Sequence, residues 1–404
     1  MSKRTILVWF RNDLRTHDNE VLVRALENDN RIVPVYCFDP LHFSTHTDGS
    51  KKTGVLRAEF IRRNVIALRD TFLHAGGDLY TTIGDPAEVL PLLSKKFNVD
   101  EVYHHREVAH EETKMSAKVE SALWEQQINL RHFIGHTLYH KEDLPFPIKD
   151  IPDSYIQFRK KAERESEVRR GFLKPNSYSF AKIPKSEVPE LGDLGYSKNE
   201  IEYARHLELA GGEDYALQLL DQLLSEPDRM VDGTEISPYL SLGVLSPNTY
   251  YYRLKSAPWL VSHKKQWDNH YNILMWRDYY RFMFKKHGNL FFQHGGINGQ
   301  IPPLSTDSDH QFERWKTGKT GDPEVDNSLR QLNKLGNLSE YQRLQAASYL
   351  VHNLQGDWLK GAAWFEEKLL DYHPCNNYGN WAHVAGVGSS ERNNKPLDFS
   401  KILK

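Results

Sequence analysis

A chain of 404 residues, 39% hydrophobic and 26% charged, has the composition of a soluble globular protein and length for two or three domains. Its formal net charge of −2 supplies no overall attraction to nucleic acid, so any basic groove must be local. The two cysteines, Cys37 and Cys375, lie in unrelated patterns, which excludes a disulfide framework or a CxxC metal site and fits a reducing cytoplasm.

The chain enters on Met1–Phe10, an apolar run too short for a signal peptide and better read as a strand. No later run is long enough to cross a bilayer, so no membrane partner is expected. From 1 to 135, strand-length apolar runs at Ile6–Phe10, Ile32–Phe38, Leu79–Ile83, Val102–His104 and Leu130–Ile134 alternate with helical patterns at Glu20–Leu26, Val55–Leu73, Ala87–Phe97 and Glu112–Gln126. That alternation predicts an α/β domain on a doubly wound parallel sheet with right-handed crossovers. No GxGxxG follows the first strand, so the usual dinucleotide fingerprint is missing. A polar loop, Arg11–Asn19, stands there instead, with Asp18 expected to cap the next helix.

From 136 to 205 the periodicity breaks down, and the proline-rich Leu144–Pro152 predicts a surface-running connector between domains. Its basic run (Arg159, Lys160, Lys161, Arg164, Arg169, Arg170) is interleaved with Glu163, Glu165 and Glu167, which suits a solvated helix face better than a nucleic-acid patch.

From 206 to 404 the pattern is all-α, with helices expected at 208–224, 246–256, 266–287, 324–335, 339–355 and 358–370. Ser237 before Pro238 predicts an N-cap, and a helix start of that kind also suits a phosphate. Trp276-Arg277-Asp278 reads as a helix with aromatic core contacts and an Arg–Asp surface pair. Gly318-Lys-Thr is not a P-loop, because Glu313 occupies the first glycine position. Ser339 and Gln342 form a capping box, with Leu344, Ala347, Leu350, Val351 and Leu354 as the buried stripe behind it. The stretch Asp371–Gly388 crowds amides, glycines and rings together, as a tight approach to a planar hydrogen-bonding ligand requires. Pro374 and Gly379 are expected to break any helix there.

These stretches together resemble the photolyase/cryptochrome superfamily, and within it the DASH-type cryptochromes. The resemblance rests on Trp9–Arg15 with His17–Asn19, Asp143–Pro147, Phe158–Lys161, Gly233–Leu240, Trp276–Tyr280, Asn377–Trp381 and Val384–Gly388. It implies an antenna-type α/β domain and a helical FAD-binding domain. Any antenna chromophore would be a folate or a deazaflavin, and these residues do not say which. Toward FAD the resemblance implies Thr234, Glu235, Ile236 and Ser237 at the pyrophosphate and ribityl chain, with Arg277 beside the cofactor or the DNA. Glu235 stands where the family often has a basic residue, so neutralising charge must come from elsewhere. Arg343 and Asp371 pair near the isoalloxazine, His373 stands where an acid is usual, and Asn377 faces flavin N5. Trp381 and Trp358 match the first two members of an electron relay. Ser305 replaces the third, and Trp315, Tyr349, Trp364 and Tyr378 are candidate substitutes.

For a DNA-lesion pocket the resemblance implies stacking by Trp276, but Ile273 stands where repair enzymes carry a glutamate. Glu340 and Tyr341 replace residues that face DNA, and His383 replaces a ring that stacks on the lesion. Three functions follow. The first is a blue-light-responsive flavoprotein of DASH type with a redox or conformational output to an unnamed signalling partner. The second is a light-driven cyclobutane pyrimidine dimer photolyase (a carbon-carbon lyase) acting on DNA, single strands included, and the third is a DNA- or partner-binding flavoprotein without photochemistry.

Overall fold

The computed structural model describes residues 3–46, 49–206, 210–229 and 231–389. Five strands, β1 (Thr5–Phe10), β2 (Arg31–Phe38), β3 (Tyr80–Ile83), β4 (Glu101–His105) and β5 (Asn129–Phe133), pair in parallel in the order β3-β2-β1-β4-β5. Helices α1 (Glu20–Ala25), α2 (Val55–His74), α3 (Pro86–Lys96) and α4 (His110–Trp124) are the crossovers. Because side chains alternate along a strand, Ile6, Val8 and Phe10 of β1 enter one core while Leu7 and Trp9 enter another with Leu90, Leu93, Val119 and Leu123. A strand buried on both faces needs a continuous apolar run, which is what the sequence carries. One detail differs: Asn19, not Asp18, caps α1 by accepting from the Leu22 N–H. The Asp18 carboxylate instead accepts from the Phe172 N–H at 2.7 Å.

The connector is more than a surface strap. It contains α5 (Tyr155–Glu165) and α6 (Lys198–Arg205), and it buries Leu138, Tyr139, Ile151, Phe158 and Ala162 in the main core. The N–H groups of Leu138 and Tyr139 donate to the buried Asp278 carboxylate at 2.9 and 2.8 Å. Burial pushes that carboxyl up to about 7. Proline-rich wording hid this packing, since proline disrupts periodicity without preventing burial.

The rest is helical: α7 (Glu213–Ser225), α8 (Ser237–Ser241), α9 (Pro247–Lys255), α10 (Lys264–His287), α11 (Ser308–Lys316), α12 (Pro323–Leu335), α13 (Glu340–Ser348), α14 (Trp358–Lys368) and α15 (Pro374–Val384). Three expectations change. Ser237 does not cap α8, whose cap position is Ile236 with no side-chain bond. The helix beginning at Ser339 has its capping box, but it passes into a π-turn over Tyr349–Asn353, and Leu344 and Leu354 are only half-buried. The stretch expected to break is instead a helix, α15. Pro374 occupies its first turn, where no N–H is needed, and Gly379 is buried within it because a Cβ there would lie 2.3 Å from the Tyr280 ring. Among the described residues no helix is long and apolar enough to cross a membrane.

A candidate cofactor cavity and its mouth

Helices α8, α10, α13, α14 and α15 enclose a cavity of about 630 Å³. Its walls follow from helical periodicity. Asn269, Asn272, Ile273, Trp276, Arg277 and Tyr280 recur at three and four residues on one face of α10, and His373, Asn376, Asn377, Asn380, Trp381 and His383 do so along α15. A volume in the range of about 300–1,000 Å³ holds a ligand of drug or cofactor size.

Charged and polar groups converge on the inner wall. Arg343 Nη2 donates to both carboxylate oxygens of Asp371, at 2.9 and 2.8 Å, and Arg343 Nε donates to the Leu338 carbonyl at 3.0 Å. Asn377 Nδ2 donates to the Ala362 carbonyl at 2.9 Å, so its oxygen is the polar end left for the cavity. Arg277 is buried and donates through Nη2 to the Leu240 carbonyl at 2.8 Å, while its Nη1 has no hydrogen-bond partner among the described residues. Burial, then the neighbouring Arg281, lowers its pKa to about 9. The Asn376 side-chain oxygen is likewise buried without a partner. Buried polar groups are normally paired, so an orphan cationic N–H and an orphan acceptor in one wall mark where a ligand completes the structure. The chemistry fits a molecule with an anionic part and a planar hydrogen-bonding part.

Aromatic rings stand behind the wall. Trp381 lines the cavity and meets Trp315 edge-on at 5.9 Å and Phe365 at 5.1 Å between centroids. It also packs on Gly361 of α14, where a Cβ would fall 2.3 Å from its ring. Trp358, one turn before Gly361, is buried and donates to the His294 carbonyl at 3.1 Å. At Ser305, where the resemblance implies a third tryptophan, the N–H donates to the Gln355 carbonyl at 2.8 Å.

The mouth gathers Ile273, Trp276, Glu340, Tyr341 and His383 in the lining of the same cavity. Trp276 stacks on Tyr155 of α5 at 3.6 Å and 10°, with Tyr280 at 5.4 Å and 28°. Tyr155 and Arg159 both donate to Asn272 Oδ1, at 2.6 and 2.8 Å, and thereby fix α5 to α10. Glu340 is exposed at the rim.

Most residues singled out from the sequence therefore share one hollow. Ser237, Ile273, Trp276, Arg277, Glu340, Tyr341, Arg343, Asp371, His373, Asn377, Trp381 and His383 all line it. Three do not. Thr234 turns its hydroxyl to Asp232 at 2.6 Å, Glu235 pairs with Arg229 at 2.6 Å on the surface, and Ile236 is wholly buried in the core. The Arg277–Asp278 surface pair also fails, since both side chains are buried and turn to separate backbone partners. Sequence reasoning missed Tyr280 as a lining residue, whose hydroxyl donates to Asn380 at 2.8 Å, together with Asn269 and Asn272. Asn272 and Tyr280 lie four residues from Trp276 and Asn269 lies seven, all on one helix face, and that spacing was the available signal.

Residues 6–177 match the family model described as DNA photolyase, and residues 270–401 match that described as the FAD binding domain of DNA photolyase. A curated relative, "Cryptochrome DASH" of Synechocystis sp., is 35% identical over 98% of this chain and 84% of its own length. The crystal structure of a Synechocystis sp. cryptochrome superposes with a TM-score of 0.89 at 34% identity, covering 99% of this chain and 86% of that one. That of a bacterial class III photolyase from Agrobacterium tumefaciens gives 0.81 at 25% identity, covering 98% and 82%.

Proposed function

Because this chain belongs to the photolyase/cryptochrome family and carries its FAD-binding domain, we propose that it acts as a blue-light-responsive FAD flavoprotein of DASH type whose output is a redox or conformational change. One observation carries this choice over repair: the cavity mouth presents apolar Ile273 and exposed Glu340. A lesion needs hydrogen bonds where Ile273 has none to give, and a phosphate backbone is repelled by a carboxylate at the rim. Losing one such buried hydrogen bond costs about 1–3 kcal/mol, so two unfavourable groups together weaken lesion binding by orders of magnitude.

When bound, FAD supplies blue-light absorption and a centre that accepts electrons. Arg277, through its unpartnered Nη1, and the start of α8 at Ser237 would hold the anionic part, replacing the charge that Glu235 does not supply. Arg343, fixed by Asp371 and Leu338, and the carbonyl oxygen of Asn377 would hold the ring system. Trp381 is then the electron donor in the wall. Trp315, in direct ring contact with Trp381, stands in for the member that Ser305 cannot supply, branching from Trp381 itself, while Trp358 at the start of α14 keeps the second position that the resemblance implies. Trp364 is a poorer carrier, because Lys368 sits 4.3 Å from its ring and a cation opposes loss of an electron. An external reductant restores the last donor.

The test is to illuminate the FAD-loaded protein with a thymine-dimer oligonucleotide, single- or double-stranded, and score lesion loss and flavin reduction separately. The proposal expects flavin reduction without multiple-turnover repair. Dimers that disappear over many turnovers would make the chain a photolyase, and an unchanging flavin would leave it a binding protein without photochemistry.

A further inference from the structure

We propose that His373 is a redox-linked proton site for the flavin, taking up one solvent proton at Nε2 when negative charge develops in the cavity beside it. This rests on the FAD reading above. His373 is 4% exposed, immediately precedes α15, and stands one turn before Asn377 in the same cavity wall. Arg281 Nη2 lies 2.6 Å from His373 Nε2. A guanidinium has only donors to offer, so Nε2 carries the lone pair and the proton sits on Nδ1. That Nδ1 is buried without a hydrogen-bond partner among the described residues. Burial, followed by the Arg281 charge, lowers the imidazole to about 4 and keeps it neutral.

The imidazole is placed to change that state. Glu107 Oε2 lies 3.0 Å from Arg281 Nη1 and 3.7 Å from His373 Nε2, and His136 Nε2 is 3.3 Å from Glu107 Oε1. Despite burial, which alone would raise it, Glu107 is held well below the usual carboxylate range by His136 and Arg281. A proton arriving at Nε2 therefore finds a carboxylate acceptor already within reach, and Arg281 keeps its own bond to that carboxylate as it leaves the ring. The other charged groups around His373 do not compete for this role. Arg277 from α10 is cationic, Asp371 is paired with Arg343, and Glu112 of α4 and Glu366 of α14, which face a narrower hollow that His373 also borders, are carboxyls raised by burial that His373→Gln leaves in place. Two arginines hold the ring neutral until new negative charge enters from the cavity side. The balance is simple: electrons enter the flavin from an external reductant, a thiol or an electrode, and one solvent proton forms the Nε2–H bond. The Arg281 hydrogen bond to Nε2 is the contact that breaks. Arg281 and Glu107 act as positioning residues.

The experiment is a spectroelectrochemical titration of the FAD-loaded full chain between about pH 5 and 8, the range in which imidazoles exchange protons. Wild type is compared with His373→Gln, which keeps a polar side chain and cannot titrate. The wild-type midpoint potential should fall more steeply with pH, the excess approaching one proton per two electrons, about 30 mV per pH unit. Equal slopes would overturn the proposal. Should His373→Gln lose its flavin, proton uptake on reduction of the wild type is counted with an indicator dye against free FAD at about pH 8, where reduced free FAD is anionic too: one proton more supports the proposal, and an equal count overturns it. Wild type that shows no flavin bands before titration would sink the FAD reading instead.

Discussion

Two hollows in this molecule share Tyr372 and His373 and differ in almost everything else. One lies at the carboxyl ends of β1 and β2, beside the point where the strand order reverses, which is where doubly wound sheets ordinarily bind nucleotides. It measures about 120 Å³, and its charged walls are already satisfied. Lys52 pairs with Glu111, Arg57 donates to Thr53 Oγ1 at 3.0 Å and covers the Tyr372 ring at 4.5 Å, and Asp39 accepts from the Leu41 N–H at 2.9 Å. The other lies among helices, is about five times larger (630 against 120 Å³), and leaves Arg277 Nη1 and Asn376 Oδ1 without a hydrogen-bond partner among the described residues. The contrast teaches that space and unpaired groups locate a ligand better than a fold-level rule does.

The largest effect expected is on Arg277. Arg277→Gln removes a charge-assisted hydrogen bond of about 1.5–3 kcal/mol, so flavin affinity should fall roughly ten- to over a hundredfold, read from flavin fluorescence recovered on dilution. Unchanged affinity would mean that the orphan guanidinium is no ligand, and the contrast would lose its main support.

Next is the tight wall behind the cavity. Gly379→Ala drives a methyl into the Tyr280 ring and should destabilise the fold by about 1–3 kcal/mol, seen as a lower melting temperature. A tolerated alanine would show that this wall is loose. Trp381→Phe keeps an aromatic filler while removing the donor. Photoreduction should slow at least tenfold, about 1.4 kcal/mol in barrier, and an unchanged rate would mean electrons enter elsewhere.

The smallest effect is a difference in sign. In the narrow hollow, burial raises the Glu112 carboxyl from its ordinary 4.5 to about 7. Its contribution is therefore fully present below the ordinary value and lost as pH rises through about 7. The His373 ring is lowered from 6.5 to about 4, so its contribution is present above 6.5 and lost as pH falls through about 4. Glu112→Gln should remove a fall in thermal stability between about pH 4.5 and 7 and leave the limb below about pH 4.5 unchanged, and the reverse result would refute this assignment of the two groups.

The sheet was legible because β1 and β2 carry apolar runs that match burial on both faces. The cavity was legible in part: family wording pointed to Trp276, Arg277, Asn377 and Trp381, which line one hollow. The connector and α15 were not, for opposite reasons. Proline around 144–152 concealed a packed segment, and Pro374 with Gly379 looked like breakers although one sits in a first turn and the other makes room for Tyr280. Thr234, Glu235 and Ile236 missed the cavity because α8 is a single short turn, and the residues ahead of it point to Asp232, Arg229 and the core.

The most direct test of a flavin in the helical cavity is the absorption spectrum of the purified full chain, recorded before and after blue light with a thiol present. One flavin per chain, bleaching under light in the wild type and much more slowly in Trp381→Phe, is the expected result. A spectrum of protein absorption alone, unchanged after incubation with FAD, would contradict it.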